Sequence, residues 1–211
     1  MMRWVRVGSL VLGCVLATAQ LASAQGRTNI QAMIAGLEDG TIRAGQVVHA
    51  EYSVHWGRSL GIIDAPLNDV LAVVQNYAGY QNFMPHFRAS KVLSQRGQTA
   101  LVYMQASVAK NTMNLWAQMK VGPKPNVGET RVIEGKMVQG NMNAMLARWE
   151  VTPVDANRTL VAFQILMDPK LPLPDSFVSS ENESASRKTI RALRQVLAER
   201  KQKPAPTASA H

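Results

Sequence analysis

The chain of 211 residues carries 23 Lys and Arg against 14 Asp and Glu, which gives a formal net charge of +9 and an isoelectric point near 10.1. Such basicity is typical of nucleic-acid binders, but 46% hydrophobic and 18% charged residues suit one or two globular domains and exclude a disordered polyelectrolyte. The single cysteine excludes an intramolecular disulfide, a cysteine zinc cluster and a CxxC redox pair.

Residues 1–24 have the three zones of a secretory signal peptide. Arg3 and Arg6 precede an apolar run from Val7 to Leu21, and the small residues Ala22-Ser23-Ala24 form a cleavage site. The sequence therefore predicts an exported bacterial protein, periplasmic or secreted, that is cleaved after Ala24.

Cys14 offers an alternative to simple cleavage. It follows Val11-Leu12-Gly13, which is close to the processing signal of bacterial lipoproteins, in which a lipidated cysteine becomes the N-terminus. The apolar run continues past Cys14 to a good cleavage site, so soluble export is the prediction and a lipid anchor on Cys14 is the alternative.

Most of the positive charge belongs to the C-terminal segment. Seven Lys and Arg lie between Arg187 and Lys203 with Glu199 as the only acid, whereas residues 25–186 hold 14 basic and 13 acidic residues. We therefore expect no nucleic-acid binding. The basic segment favours either weak contact with an anionic membrane surface or, the preferred interpretation, a solvated helix end that complements the helix dipole.

The residues after the cleavage site change periodicity several times. Residues 25–46 form a lead segment with a short helix predicted at 28–39. From Val47 to about Ile63 apolar and polar residues alternate, which predicts the first strand and the start of the main domain. Asp64-Ala65-Pro66 then indicates a helix start, with apolar positions continuing to Val74, and a second helical turn is predicted from Tyr80 to Met84.

Six further strands are predicted at even spacing, which favours an antiparallel meander. Their expected ranges are 87–96, 99–109, 112–121, 129–138, 142–153 and 157–168, and turns are expected at 96–97, 122–123, 140–141 and 155–157. Four of these strands have one clearly apolar face, represented by Met104, Leu115, Trp149 and Phe163.

The segment 169–174 is rich in proline and predicts a rigid connector before a long helix from Asp175 to Lys201. Apolar and small residues share one arc of this helix, namely Ser186, Ile190, Leu193 and Leu197, and the adjacent arc holds Arg187, Arg191, Arg194 and Lys201. Residues 203–211 are of low complexity and predict a disordered tail. The expected fold is α+β: a curved antiparallel sheet of about seven strands around the C-terminal helix, with two short helices after the first strand.

Three segments resemble one known family. Residues 62–74 are similar to its strand-to-helix entry, residues 76–85 resemble its "DYxxYPxFMP" element with Asn76 and Gln81 departing from the pattern, and residues 172–174 before the long helix complete the match. On these residues, 47–202 resembles the helix-grip domain of the START-like or SRPBCC superfamily, which includes polyketide cyclases/dehydrases and coenzyme Q-binding proteins. The resemblance implies a cavity for a hydrophobic ligand between the sheet and the C-terminal helix, without a cofactor.

Seven methionines lie on or near the predicted strands, between Met104 and Met167. Because methionine is flexible and polarizable, they could line an adaptable cavity or simply fill a core. Ser179 and Ser186 on the helix seam would either leave room for a ligand or simply reflect the frayed first turns of the helix. The predicted cavity lining is Met104, Leu115, Met119, Met145, Trp149, Phe163, Ile165, Ser186 and Ile190.

No organised catalytic or metal-binding set is visible in the sequence. His49, His55 and His86 are expected at the surface, and Glu134 is expected to form a cross-strand ion pair. The preferred hypothesis is a non-catalytic binding or transfer protein for a hydrophobic small molecule or lipid. The alternatives are a cyclase/hydratase-type enzyme in which His86 or Glu134 moves a proton, and an interaction domain without a cavity; neither the ligand nor the oligomeric state follows from the sequence.

Overall fold

The computed structural model describes residues 31–37, 40–108 and 113–202. The chain divides into two units at Gly36. In the first unit residues 31–34 form a turn of helix, inside the predicted lead helix. The predicted signal peptide, Cys14 and the tail 203–211 lie outside the described residues.

The second unit contains one antiparallel sheet of eight strands and a long C-terminal helix. The strands are β1 (Ile42–Val47), β2 (Trp56–Ile63), β3 (Phe87–Arg96), β4 (Thr99–Val108), β5 (Met113–Val127), β6 (Thr130–Gly140), β7 (Met142–Pro153) and β8 (Thr159–Pro169). Their order across the sheet is β1-β2-β8-β7-β6-β5-β4-β3. This is the predicted α+β helix-grip architecture, with one strand more than expected.

The additional strand arises because only the second part of the predicted first strand, residues 56–63, is a strand, and another strand precedes it. β1 ends at Val47, residues 48–55 form a loop, and β2 begins at Trp56. The alternation that predicted a strand is produced by loop residues: Val48 is exposed, whereas Val54 is buried against Leu166 and Val178 on the convex side of the sheet. The sheet therefore begins at Ile42, within the segment predicted to lead into the domain at Val47.

The six later strands are confirmed, but the turn predicted at Gly122-Pro123 is wrong. β5 continues through both residues, and the turn comes at Gly128, whose φ of 58° favours glycine. Pairing of β5 with β4 stops at Val121 opposite Ala100, so the missing N–H of Pro123 lies beyond that ladder. Gly122 lies close to Thr99 of the neighbouring strand, because a Cβ added at Gly122 would lie 2.9 Å from Thr99 Oγ1.

In the described part of the second unit, three helices accompany the sheet. They are α1 (Leu67–Val74), a 3-10 helix (Tyr77–Asn82) and α2 (Asp175–Gln202). Both short helices follow β2, which is the part of the predicted first strand that the structure contains. They pack on the concave face of the sheet. The predicted seam of α2 is confirmed, since Ser186, Ile190, Leu193 and Leu197 are buried.

Candidate functional site

The N-terminal half of α2 lies directly on β2 and leaves no space between them. An added Cβ at Gly57 would lie 2.0 Å from the backbone oxygen of Asn182, so only glycine permits this approach. One helical turn later the Oγ atoms of Ser59 and Ser186 lie 2.7 Å apart in a buried hydrogen bond. The small residues on the helix seam therefore bring the backbones together and do not create a cavity.

Asn182 joins β2 and β8 where these strands separate. Its Oδ1 accepts from the Met167 N–H at 3.1 Å, and its Nδ2 donates to the carbonyls of Met167 at 3.2 Å and His55 at 3.1 Å. The side chain is buried, and these bonds replace the strand-to-strand pairing that ends at Gly57 opposite Ile165. Asn182 and Ser186 thus have structural roles beside the cavity region.

The main cavity lies elsewhere, between the concave face of the sheet and the segment from Tyr80 to Phe87. It offers about 30 Å³ of space for the centre of a water-sized sphere. The lining residues come from this segment and from β4 to β8: Tyr80, Met84, Phe87, Met104, Met119, Val121, Ile133, Gly135, Met145, Ala147, Trp149, Phe163 and Ile165.

A second, smaller cavity of about 10 Å³ adjoins the first through the shared residues Phe87, Met104 and Met145. Its remaining lining residues are Ala106, Leu115, Ala117, Met142 and Met167. Five of the seven methionines between Met104 and Met167 therefore line one or both cavities.

In this conformation the cavities are far smaller than a lipid. A single water molecule needs roughly 10–15 Å³ of such space, so the main cavity of about 30 Å³ has room for little more than two. A lipid or polycyclic ligand would have to displace side chains that can change rotamer. Methionine does this readily because its unbranched side chain has three rotatable bonds, and this wall is rich in methionine.

The structure brings together seven of the nine predicted lining residues. Six line the main cavity, namely Met104, Met119, Met145, Trp149, Phe163 and Ile165, and Leu115 lines the second. Ser186 and Ile190 line neither; Ser186 bonds Ser59, and Ile190 packs in the core where β2 and α2 meet. Among the described residues, no lining side chain comes from α2. The two cavities of this conformation are therefore not lined by the C-terminal helix, and a ligand site beneath that helix stays a prediction.

The roof of the main cavity is the part that the sequence did not reveal. Tyr80, Met84 and Phe87 belong to the 3-10 helix and the chain that follows it, which the sequence predicted as a helical turn and as part of the family-like element 76–85, but not as part of the cavity wall. The available signal was the cluster of aromatic residues in 77–87. In the structure Tyr80 contacts Phe83 and Phe87 edge to face, with ring centroids 5.6 Å and 6.5 Å apart.

Tyr80 and Trp149 supply the polar atoms of the cavity wall. The Tyr80 hydroxyl donates to the Val74 carbonyl at 2.6 Å, and the Trp149 indole lies near it. Burial raises the pKa of Tyr80 far above its ordinary value, and the neighbouring Tyr77 adds to this rise. The phenol therefore remains uncharged at neutral pH. The Trp149 ring also packs against Phe163, with centroids 4.2 Å apart.

The candidate acid–base residues do not reach the cavity. His86 is exposed, and Glu134 lies on the convex face, where it forms ion pairs with Arg148 and with Lys124, the latter at 3.4 Å. Arg148 also donates to Glu150 at 2.8 Å, and although burial opposes it, the pairing with both carboxylates raises the pKa of Arg148. The predicted cross-strand pairing of Glu134 is confirmed. The described residues contain no cluster of His, Cys, Asp and Glu arranged to hold a metal ion.

Two of the four basic residues predicted to flank the α2 seam donate hydrogen bonds to backbone carbonyls outside α2. Arg194 donates to the carbonyls of Ile62 at 2.9 Å and Thr41 at 3.2 Å, and also to that of Gly40. Lys201 donates to the Asp64 carbonyl. The basic flank is therefore divided, because these two side chains fasten α2 to the ends of β1 and β2 while the others remain exposed.

A family model described as polyketide cyclase/dehydrase and lipid transport matches residues 63–194. The chain belongs to this family. The matched range runs from the end of β2 into α2 and contains every residue that lines the two cavities. The family assignment thus covers the whole candidate site.

Solved structures of START-related proteins share the fold of this family member. Human StAR-related lipid transfer protein 5 superposes with a TM-score of 0.67 at 13% identity, over 86% of this chain and 99% of that one. A STAR-related lipid transfer protein from Xanthomonas axonopodis gives 0.66 at 17% identity, over 76% and 96%. The Zhui aromatase/cyclase from Streptomyces gives 0.53 at 14% identity, over 81% and 100%.

A search of curated protein sequences finds no significant match to the chain. In the described part of the chain, no helix has the length and apolar character needed to cross a membrane. At identities this low the structural likenesses establish the fold alone. The function therefore has to be inferred from the cavity.

Proposed function

We propose that this family member is an exported binding or transfer protein for a hydrophobic small molecule or lipid. The observation that carries the proposal is the apolar, methionine-rich cavity between the concave face of the sheet and the segment from Tyr80 to Phe87. Export rests on the signal-peptide pattern of residues 1–24.

Ligand entry requires the cavity to open, because its present volume of about 30 Å³ is too small for a lipid. The roof is the element best suited to move. His86 has a φ of 66°, a backbone conformation that side-chain-bearing residues rarely adopt, and it lies between the lining residues Met84 and Phe87. A change of backbone conformation at His86 would relieve this strain and shift both side chains.

A cyclase/hydratase function receives less support from the residues of the cavity. The description of the family and the name of the Streptomyces aromatase/cyclase both mention cyclase activity. The residues proposed for proton transfer, His86 and Glu134, lie on the surface, and the hydroxyl proton of Tyr80 points to the Val74 carbonyl. A binding function needs none of these groups to react.

The test is to purify the full chain under native conditions, extract it with organic solvent and identify the extract by mass spectrometry. We expect a co-purified apolar compound, and uptake of an uncharged fluorescent probe such as diphenylhexatriene by the extracted protein. Absence of any extracted compound together with absence of probe uptake would contradict the proposal.

A further inference from the structure

One stretch of the chain contains basic residues and no acidic ones. Residues 70–128 hold six Lys and Arg without a single Asp or Glu, although residues 25–186 as a whole are nearly neutral. This stretch supplies all of β3, β4 and β5, which are neighbours at one side of the sheet. The near-neutral total of the domain body therefore conceals a basic half of the sheet.

Three lysines of this half and of β6 lie on the convex face. Lys120 and Lys136 each follow a residue that lines the main cavity, so their side chains point away from it, and they lie directly opposite each other. On the edge strand β3, Lys91 lies directly opposite Tyr103, which precedes the cavity-lining Met104 and therefore shares the convex face. All three lysines are exposed, and we call them the convex basic patch.

The positive charge of this patch is not compensated within the domain. Like charges directly opposite each other destabilise a sheet, as Lys120 and Lys136 do, and none of the ion pairs of the described residues involves a lysine of the patch. On the same face Glu134 pairs with both Arg148 and Lys124. The sheet thus neutralises its neighbouring charges but keeps this repulsion, which an anion from outside the domain would relieve.

A stacked aromatic pair lies next to the patch. The rings of Tyr103 and Trp116 have centroids 6.1 Å apart, and both side chains are only partly buried. Trp116 precedes the cavity-lining Ala117, so it also belongs to the convex face. Tyrosine and tryptophan are enriched where proteins meet the membrane–water interface, because each combines an apolar ring with a polar hydrogen. Basic residues beside such rings add attraction to anionic headgroups.

The arrangement suits an extended anionic surface better than a single small anion. Neighbouring strands are about 4.8 Å apart, so the patch extends about 14 Å across the sheet from β3 to β6. Its lysines do not converge on a cavity, since both cavities are lined from the concave face. The export predicted from residues 1–24 favours lipid headgroups over nucleic acid as the extended anion.

We propose that the convex face of β3 to β6 docks on an anionic lipid surface, with the three lysines on the headgroups and the Tyr103–Trp116 pair at the interface. This face is distinct from the basic flank of α2, where Arg194 and Lys201 donate to backbone carbonyls of the domain. It also lies opposite the cavities, so the proposal does not depend on what they bind.

Binding to vesicles tests the proposal. The full chain is expressed with export, so that all variants are processed alike, and is sedimented with phosphatidylcholine vesicles that contain about 30% phosphatidylglycerol. Each lysine close to an anionic surface contributes about fivefold in affinity. We therefore expect Lys91→Gln/Lys120→Gln/Lys136→Gln to bind at least about tenfold more weakly than the wild type. The variant should melt no lower than the wild type, because the Lys120–Lys136 repulsion is removed.

The matched control removes the same charge from another exposed surface. Lys188→Gln/Arg191→Gln/Arg200→Gln changes three exposed residues of α2 and should bind within about threefold of the wild type. Equal losses in the two variants, undiminished binding of the patch variant, or equal binding of the wild type to pure phosphatidylcholine would overturn the proposal. So would binding of single-stranded DNA through the patch lysines without binding of the vesicles.

Fluorescence quenching tests whether this face itself meets the lipid. Vesicles of the same composition with brominated acyl chains quench tryptophans that lie close to them. We expect Trp116→Phe to lose most of the quenching seen in the wild type. Trp56→Phe is the matched control, because Trp56 is also only partly buried but belongs to β2, and it should keep the quenching. Quenching that persists in Trp116→Phe would place another surface on the membrane and overturn the proposal.

Discussion

The hydroxyl oxygens of Ser59 in β2 and Ser186 in α2 lie 2.7 Å apart, and both residues are completely buried. This contact fixes the helix against the strand at a separation that larger side chains would not allow. It also explains why the cavity lies beside α2 and not beneath it. The fold therefore uses its C-terminal helix to close one side of the domain, and the segment from Tyr80 to Phe87 covers the opening that remains.

Removing the Ser186 hydroxyl alone should destabilise the protein more than removing both hydroxyls of this pair, because Ser186 also donates to the Glu183 carbonyl at 2.8 Å and Ser59 has no such second partner among the hydrogen bonds of the described residues. Ser186→Ala leaves the Ser59 hydroxyl buried without its partner, which costs about 1–2 kcal/mol. The double variant Ser59→Ala/Ser186→Ala should recover part of that loss because no unpaired hydroxyl remains. Urea unfolding of the wild type, both single variants and the double variant measures the coupling, and strictly additive losses would speak against it.

Two glycines in adjacent strands should respond very differently to the same substitution. Gly57→Ala forces a Cβ to within 2.0 Å of the Asn182 backbone oxygen, whereas a Cβ at Gly45 would meet nothing within 4 Å. We expect Gly57→Ala to cost about 3 kcal/mol or more, or to prevent folding, since backbone cannot move aside as a side chain can. Gly45→Ala should stay within about 0.5 kcal/mol of the wild type. Thermal unfolding of both variants checks the comparison, and similar melting temperatures would show that α2 does not lie this close to β2.

Tyr80 should contribute stability that is lost in alkali. Its pKa is raised in the folded protein by burial, so the favourable contribution is complete below the unfolded pKa of about 10 and decreases as the pH rises above it. Each pH unit above about 10 should remove about 1.4 kcal/mol through this group. Urea unfolding between pH 9 and 11.5 should show a steeper loss in the wild type than in Tyr80→Phe. If the free energy of unfolding fell equally with pH in both proteins, the Tyr80 phenol would be exposed to water and not buried.

Filling the cavity should abolish binding without unfolding the protein. Ala147→Leu adds bulk to the wall of the main cavity, and uptake of diphenylhexatriene should fall at least tenfold. Overpacking should lower the stability by about 1–3 kcal/mol at most. Ala156→Leu is the matched control, because Ala156 is exposed in the turn between β7 and β8. Full uptake by a folded Ala147→Leu protein would place the ligand elsewhere.

Local patterns predicted the elements that have one buried face. The period-two faces of β4, β5, β7 and β8 and the seam of α2 are visible in the sequence because each buries alternate or helically spaced residues against one core. The same rule misread residues 48–55, because Val54 is buried on the convex side by a loop that has no strand geometry. Periodicity reports burial, and it does not distinguish a strand from a loop packed on a sheet.

The position of the cavity could not be read from the same patterns. Met119 and Ile190 are both buried apolar residues on predicted faces, yet only Met119 lines the main cavity. The difference depends on how closely α2 approaches β2, which is set by contacts such as Gly57 with Asn182, 125 positions apart in the numbering. A small residue such as Ser186 has the same sequence signature whether it leaves room for a ligand or allows two backbones to meet.

A hydrophobic molecule should occupy the space between the sheet and the segment from Tyr80 to Phe87, and anomalous diffraction from a bromoalkane would locate it. Crystals of the full chain grown with 1-bromodecane would reveal the bromine and the chain attached to it. We expect the bromoalkane among Met104, Met119 and Met145, with the roof displaced from its present position. A bromoalkane bound between α2 and β2 near Ser186, or a cavity left empty at saturating probe, would contradict it.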